Sequence, residues 1–128
     1  MSGLDIVTFL SDSGWGGGYV AVCEAMVTRI RPAARVCHIS HEVPAGDIAA
    51  GALTLERIAP LYPPAVHLAV VDPGVGTDRR PLALVAARGD ALVGPDNGLL
   101  IPAAEALGGV RSAWRLDPTQ VRATAGLP

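Results

Sequence analysis

The sequence is poor in aromatic residues and in charge. Aromatic residues make up 4% of the 128 residues and charged residues 17%, and the formal net charge is −2. Its ten basic residues are all arginines and are scattered, so no basic patch favours nucleic acid or an anionic membrane as a partner. Half of the residues are hydrophobic, which predicts one folded domain with a core of Ala, Val, Leu and Ile.

Targeting and membrane signals are also missing from the sequence. No apolar run approaches the roughly 18–20 residues of a membrane span, and no basic region precedes the first apolar run. We therefore expect neither a membrane helix nor a signal peptide. Without an export signal, Cys23 and Cys37 are expected to be reduced, buried thiols rather than a disulfide or a metal pair. These features together predict a cytoplasmic protein.

Short apolar runs alternate with helical patterns through the first half of the chain. Three runs predict strands, 4–10, 34–40 and 65–71, and the first and third are expected to be buried. The helix after the first strand is expected to end at Pro32, and the next helix, capped by Asp47, near Pro60. This alternation predicts an α/β fold, a layered and largely parallel sheet flanked by helices.

The second half continues the alternation with shorter elements. Two strand candidates, 81–89 and 91–98, are separated by a turn at 88–90, and a short helix at 102–109 precedes a last strand at 110–116. The remaining residues show no periodicity. We therefore predict one α/β domain over residues 1–116, followed by the start of a linker at 117–128.

Polar residues directly follow the first three predicted strands. These are Asp12, His41 and Asp72. Ligands of open α/β sheets bind outside the carboxyl ends of the strands, so these side chains are candidates for a shared site.

Asp12 is followed by the glycine-rich segment 13–18, between a strand and a helix. The glycines match neither the dinucleotide-binding nor the P-loop spacing, and a carboxylate there would repel a phosphate. A carboxylate accepts hydrogen bonds from two hydroxyl groups and therefore suits a ribose diol. The alternative is that Asp12 only caps a turn.

The stretch VVDPGVGTDRR leaves the third strand through a loop of restricted shape. Pro73 fixes one backbone dihedral, and two glycines allow conformations that other residues avoid. Such a loop can bring Asp72 back towards Arg79. The pair is compatible with two roles: a salt bridge that pins the loop, or a site that holds a nucleophile or a water.

The stretch VGPDNGLL contains a strong turn signal, Pro-Asp-Asn-Gly. Asn97 is either part of a plain turn or recognises a polar ligand edge as donor and acceptor. His38 and His67 lie within predicted strands, where core histidines with hydrogen-bond partners are expected. The role of His41, at a strand end, stays open, and the histidines and cysteines have no zinc-site spacing.

Four stretches together resemble the motifs of one family, in the family's order: FLSDSG, GYVAVCEAMVTRIRPAARVCHISHEVPAGDI, VHLAVVDPGVGTDRR and VGPDNGLL. That family is the S-adenosylmethionine (SAM) hydroxide adenosyltransferases. They are SAM hydrolases that form adenosine, and they are related to the SAM-dependent fluorinases and chlorinases.

The resemblance implies a larger, trimeric protein. Its members have an α/β domain followed by a smaller β-barrel domain, which this chain does not contain, and SAM binds between domains of neighbouring subunits. SAM is the substrate, and neither a cofactor nor a metal is implied. By similarity, Asp12 and Asn97 bind substrate, and Asp72 and Arg79 are catalytic together with a histidine expected just after Pro128.

The resemblance also separates possible activities. The fluorinases have a tyrosine and a threonine where this chain has Asp72 and Val75, which favours water over halide as the nucleophile. The alternatives are a halogenase and a SAM- or adenosine-binding module without turnover. Because one wall of the site and the histidine would be missing, the 128 residues alone are expected to have little hydrolase activity.

Overall fold

The computed structural model describes residues 4–74 and 80–125, with side chains up to residue 123. The strands in these ranges are β1 (Ile6–Ser11), β2 (Arg35–Ser40), β3 (Val66–Val70), β4 (Pro81–Ala86), β5 (Ala91–Pro95) and β6 (Val110–Arg115). The helices are α1 (Tyr19–Ile30), α2 (Ile48–Ile58), α3 (Ile101–Ala106) and α4 (Pro118–Ala125), and a 3₁₀ turn at Ala59–Leu61 extends α2.

The six described strands form one sheet in the order β2-β1-β3-β5-β4-β6. β1 pairs in parallel with β2 and β3, and β3 in parallel with β5. β4 runs antiparallel to both of its neighbours, β5 and β6, so the other five strands share one direction. The prediction of a largely parallel α/β sheet flanked by helices is confirmed.

One face of the sheet packs against α2 and α3 and forms the core. Fully buried strand residues on this face include Leu10, Ala69 and Leu92. α2 lies close to the end of β3 because Gly51 has no side chain: a Cβ there would lie 3.1 Å from Val71 Cγ2. Asp47 caps α2 as predicted, since its Oδ1 accepts a hydrogen bond from Ala50 N at 3.0 Å.

The opposite face of the sheet is only partly covered. The strand register places Phe9, Leu68 and Val93 side by side on this face, and Leu68 and Val93 are partly exposed. α1 lies over this face, but Val20 is its single buried residue. The partly exposed strands β3 and β5 therefore offer an apolar surface next to their polar carboxyl ends.

The tail contains a helix that the sequence pattern did not predict. α4 follows Asp117, whose Oδ1 accepts from Thr119 N at 3.0 Å and whose carbonyl accepts from Val121 N at 2.9 Å. Pro118 begins the helix, where its missing N–H costs nothing. The cap and the proline are sequence signals of a helix start, but a search for apolar periodicity misses them. The role of 117–128 as a linker stays a prediction.

A chain of hydrogen-bonded polar side chains links β1, β3 and the residues directly before β5. Thr8 Oγ1 lies 2.7 Å from His67 Nδ1, and His67 Nε2 lies 2.7 Å from Asp90 Oδ2. Arg88 donates to both oxygens of Asp90, from Nε at 2.7 Å and from a terminal nitrogen at 2.8 Å. His67 is thus a core histidine with a partner at each ring nitrogen, as predicted.

The surroundings of His67 favour its neutral form. Burial lowers the pKa of His67 below its ordinary value, although the hydrogen bond from its Nε2–H to Asp90 opposes this. The pKa of Asp90 is also lowered: burial acts against the charged form, but hydrogen bonds from Arg88, His67 and Ala65 N outweigh it. The network is therefore a neutral imidazole beside a carboxylate–guanidinium pair.

These pKa shifts predict that the fold loses stability in mild acid. The unfolded chain binds a proton at His67 near the ordinary pKa of about 6.5, whereas the folded chain resists it. The contribution of His67 is therefore complete above about pH 6.5 and is lost as the pH falls towards the lowered pKa, by up to about 1.4 kcal/mol per pH unit. His41, whose pKa burial also lowers, adds a slope of the same sign.

Urea unfolding at several pH values measures this slope. In a His67→Leu variant, the free energy of unfolding should fall less steeply between about pH 7 and 5, because one titrating group is gone. Equal slopes in the two proteins would contradict the assignment to His67.

Candidate active site

The predicted polar strand ends meet at one edge of the sheet. β1, β2, β3 and β5 share one direction, so the residues after them lie at the same edge. These are Asp12, His41, Asp72 and Asn97. Because β1 and β3 are hydrogen-bonded neighbours, Asp12 and Asp72 follow adjacent strands, an order that the sequence did not predict.

Asp12 connects the first loop to the turn after β2. Its Oδ2 accepts a hydrogen bond from Gly46 N at 2.7 Å, and its side chain is half-buried. Gly14 N donates to the carbonyl of His41 at 2.8 Å, a second link between the same two segments. Asp12 thus has a structural role in a turn. Whether it also binds ribose stays a prediction.

Gly46 links Asp12 to the loop of Asp72. Its backbone has a φ of +73°, which favours glycine, and a Cβ at this position would lie 3.4 Å from Pro73 Cβ. The turn that holds the Asp12 carboxylate therefore packs against the residue that follows Asp72. The two aspartates belong to one connected group of loops.

Asp72 begins its loop with a side-chain turn. Its Oδ1 accepts a hydrogen bond from Gly74 N at 3.0 Å, the pattern by which aspartate favours turns. Its predicted partner, Arg79, lies outside the described residues, so the Asp72–Arg79 pair stays a prediction. Arg80 is exposed, as expected for a surface arginine.

Asn97 joins the turn after β5 to the end of β3. Its Nδ2 donates to Val71 O at 2.9 Å, and its Oδ1 accepts from Leu99 N at 3.1 Å. These bonds match the turn alternative predicted from the sequence and fix the backbone directly before Asp72. They use one N–H and one lone pair of the amide, and its role in substrate binding stays a prediction.

A small pocket lies beside Asp72 on the partly covered face. Its volume is about 230 Å³, and it is lined by Leu68, Val70, Asp72, Arg80, Pro81, Val93, Gly94 and Pro95. Pockets for whole drug-sized ligands enclose about 300–1,000 Å³. The described residues therefore form an apolar pocket with one carboxylate and one guanidinium, large enough for part of such a ligand.

A chain of hydrogen-bonded side chains ends next to Asp12. Glu24 Oε1 lies 3.1 Å from His38 Nε2, His38 Nδ1 lies 2.8 Å from His41 Nε2, and His41 Nδ1 lies 2.6 Å from Ser11 Oγ. From the sequence, His38 was predicted as a core histidine and the role of His41 stayed open. Glu24 and Ser11 were not predicted, because contacts between α1, β1 and β2 depend on how the helix packs.

Trp15 packs against this chain, and Tyr19 lies near Asp12. The ring of Trp15, 55% exposed, packs edge-on against His41 with centroids 4.6 Å apart. Tyr19 begins α1, and burial together with a hydrogen bond to Cys23 raises its pKa to about 12. Tyr19 is therefore a neutral hydrogen-bonding group near Asp12, a role that the sequence pattern did not indicate.

Residues 4–74 and 80–125 contain neither a metal-binding cluster nor a membrane-spanning helix. No group of three or more His, Cys, Asp or Glu side chains in these ranges is arranged to hold a metal ion. The helices of the same ranges are all too short or too polar to cross a membrane. Cys23 and Cys37 are both free thiols and half-buried.

Comparison with known proteins identifies close relatives. The chain is 54% identical over 110 residues to the (R)-S-adenosyl-L-methionine hydrolase of Salinispora tropica, and 40% identical over 109 residues to the protein of that name from Methanocaldococcus jannaschii. These alignments cover 86% and 82% of the chain but 42% and 41% of the relatives. The chain thus spans less than half the length of these relatives.

Solved structures share the fold. A crystal structure of an uncharacterized conserved protein from Thermotoga maritima superposes with a TM-score of 0.83 at 35% identity, over 89% of this chain and 44% of that one. A conserved hypothetical protein from Thermus thermophilus gives a TM-score of 0.80 at 39% identity, over 98% and 55% of the two chains.

A family model covers nearly the whole chain. Residues 7–126 match the SAM hydroxide adenosyltransferase N-terminal domain, a range that includes all the strand ends described above. Together with the identity to the hydrolases, this match shows that the chain belongs to the SAM hydroxide adenosyltransferase family, as its N-terminal domain.

Proposed function

We propose that the complete protein carrying this chain hydrolyses SAM to adenosine and L-methionine. The observation that supports this most directly is the position of Asp12 and Asp72 after adjacent parallel strands, linked through Gly46 and Pro73. The relatives named as SAM hydrolases match 86% and 82% of the chain.

The proposed reaction is an in-line displacement at the 5′ carbon of SAM. A water oxygen forms a bond to this carbon while the bond from carbon to sulfur breaks. The electron pair of the broken bond neutralises the sulfonium, so methionine leaves as a thioether, and the water releases one proton. The sulfonium already activates the carbon, so the protein mainly positions the water and excludes bulk solvent.

The side chains at the strand ends suit different parts of this substrate. Asp72, at the rim of the apolar pocket, would accept a hydrogen bond from the attacking water and face the sulfonium charge. Arg79 would hold Asp72 in place. Asp12 would accept hydrogen bonds from the ribose hydroxyls, and Asn97 would contact the substrate while bonded to Val71 O.

The size of the pocket supports a site that other parts of the protein complete. About 230 Å³ holds part of SAM, and the chain covers 42% of its Salinispora tropica relative. We propose that a β-barrel domain of a neighbouring subunit in a trimer supplies the other wall, and that a histidine following Pro128 completes the catalytic set. The 128 residues alone would then have little activity. We also propose a cytoplasmic location, where the free thiols Cys23 and Cys37 stay reduced.

Substitution of Asp72 tests the proposal. In the complete protein, Asp72→Asn should lower the rate of adenosine formation from SAM at least about a hundredfold, because the neutral amide is a much weaker base than a carboxylate and has no negative charge to face the sulfonium. Chromatography of adenosine and methionine measures the rate. Asp5→Asn is a matched control, since Asp5 is exposed and pairs with Arg31 just before β1, away from the site.

Two results would contradict the proposal. One is an absence of adenosine with the wild-type protein, and the other is undiminished adenosine with Asp72→Asn. Formation of 5′-chloro-5′-deoxyadenosine in chloride, in place of adenosine, would instead indicate a halogenase.

A further inference from the structure

The Asp12 segment is joined to the turn after β2 at three points. Ser11 Oγ lies 2.6 Å from His41 Nδ1, Gly14 N donates to His41 O at 2.8 Å, and Gly46 N donates to Asp12 Oδ2 at 2.7 Å. The side-chain link through His41 comes directly before Asp12, and the backbone link comes two residues after it. The position of the carboxylate therefore depends on residues 41–46.

The hydrogen bonds of the chain have a consistent direction when both imidazoles are neutral. The Glu24 carboxylate accepts from His38 Nε2–H, which makes Nδ1 of His38 an acceptor. His41 then donates its Nε2–H to His38, and its own Nδ1 accepts from the hydroxyl of Ser11. Glu24 thus determines, through two histidines, that Nε2 of His41 carries the proton and that Nδ1 accepts from Ser11.

The burial of the chain changes along its length. The Glu24 side chain is 46% exposed and His38 22%, whereas His41 and Ser11 are 0% exposed. Phe9 packs against one side of the His41 ring at 4.7 Å, and Trp15 against another at 4.6 Å. A buried imidazole held by hydrogen bonds at both nitrogens and by two aromatic rings has little freedom to turn.

We propose that His41 is a positioning residue for Asp12: its Nδ1 holds Ser11, and thereby places the Asp12 carboxylate against Gly46 N in the geometry that receives the ribose. This inference rests on the proposed function for the identity of the ligand. It adds a residue that contacts neither the reacting atoms nor the substrate. Its effect reaches the site through Ser11 and the turn 41–46.

Two amide variants of His41 distinguish the roles of its two ring nitrogens. His41→Asn places a polar atom where Nδ1 lies and can keep the bond to Ser11. His41→Gln places its polar atoms where Nε2 lies and keeps only the link to His38. The variants have the same functional group and differ in reach, so a difference between them reports the contact to Ser11.

Amide hydrogen exchange by NMR measures, without substrate, how well the bond from Gly46 N to the Asp12 carboxylate is maintained. We expect the Gly46 amide to exchange at least about tenfold faster in His41→Gln than in wild type, and within about threefold of wild type in His41→Asn. The amide of Ala91, which donates to Ala65 O at 3.1 Å in another part of the sheet, is the internal control. General destabilisation would accelerate both amides.

Kinetics of the complete protein give the second measurement. A ribose contact acts in both the ground state and the transition state, so its loss raises KM and leaves kcat nearly unchanged. We expect about a tenfold higher KM for SAM in His41→Gln and recovery in His41→Asn. Ser11→Ala removes the other partner of the same bond and should reproduce the result of His41→Gln. If His41→Gln does not fold, Ser11→Ala takes its place in the comparison.

The outcomes distinguish this inference from the proposed function. No adenosine from wild type would contradict the function, and the exchange of the Gly46 amide would still decide whether His41 positions Asp12. Unchanged Gly46 exchange in His41→Gln and Ser11→Ala would overturn the inference. So would equal acceleration of Gly46 and Ala91, or equal KM values for the Asn and Gln variants.

Discussion

Replacing Asp90 with alanine is expected to lower the free energy of unfolding by about 3–5 kcal/mol, the range found when one partner of a buried ion pair is removed. Asp90 is 0% exposed and accepts hydrogen bonds from Arg88, His67 and Ala65 N. Without the carboxylate, the buried imidazole N–H of His67 and the backbone N–H of Ala65 lose their acceptor inside the fold. Arg88, whose side chain is 30% exposed, loses its charged partner but keeps its bonds to Ala59 O and Pro60 O. The desolvation of the two buried N–H groups then opposes folding.

Urea unfolding measures this loss, and Asp5→Ala is its matched control. Asp5 also pairs with an arginine, Arg31 at 2.6 Å, but both side chains are 53% exposed. A surface pair contributes about 0–1 kcal/mol, so Asp5→Ala should change stability little. Similar losses in the two variants would contradict the importance of burial.

The second large effect is expected for Gly94→Ala at the pocket. A Cβ at Gly94 would lie 2.4 Å from the carbonyl oxygen of Ala69 and 3.2 Å from Leu100 Cδ2. Since the nearest atom belongs to the backbone of β3, a rotamer change cannot relieve the clash. β3 and β5 must separate, and we expect a loss of about 3 kcal/mol or more.

Gly16→Ala is the control for this variant. A Cβ at Gly16 would have no heavy atom of another segment within 4 Å, so alanine is accommodated there without displacement of a neighbour. Thermal unfolding should show a much lower midpoint for Gly94→Ala and a nearly unchanged one for Gly16→Ala. A midpoint near wild type for Gly94→Ala would show that the two strands separate easily.

Most of the fold was predictable because its signals are local. Each of the first three strands is a short run rich in apolar and β-branched residues, and Asp47 and Pro32 mark helix boundaries within a few residues. The pairing of β4 between β5 and β6 was not predicted. An apolar run has the same pattern in either direction, so its neighbours are chosen by packing between residues far apart in sequence.

The candidate site was likewise only partly predictable from the sequence. Asp12 and Asp72 were predictable as a pair, because parallel strands bring their carboxyl ends to one edge and each aspartate directly follows a strand. The bonds of Asn97 to Val71 O and of His41 to Ser11 were not, since they join segments 26 and 30 residues apart.

The stretch VVDPGVGTDRR illustrates what can be predicted without the structure: a strand, an aspartate after it, and a loop restricted by proline and glycine. Residue order alone determines the strands, the polar residues after them and the family motifs, because each depends on neighbours along the chain. Contacts between distant segments determine which groups hold the polar side chains: Gly46 N binds the Asp12 carboxylate, and Asp90 binds His67. Such contacts form only when distant segments pack, which is why the tertiary structure was needed to identify them.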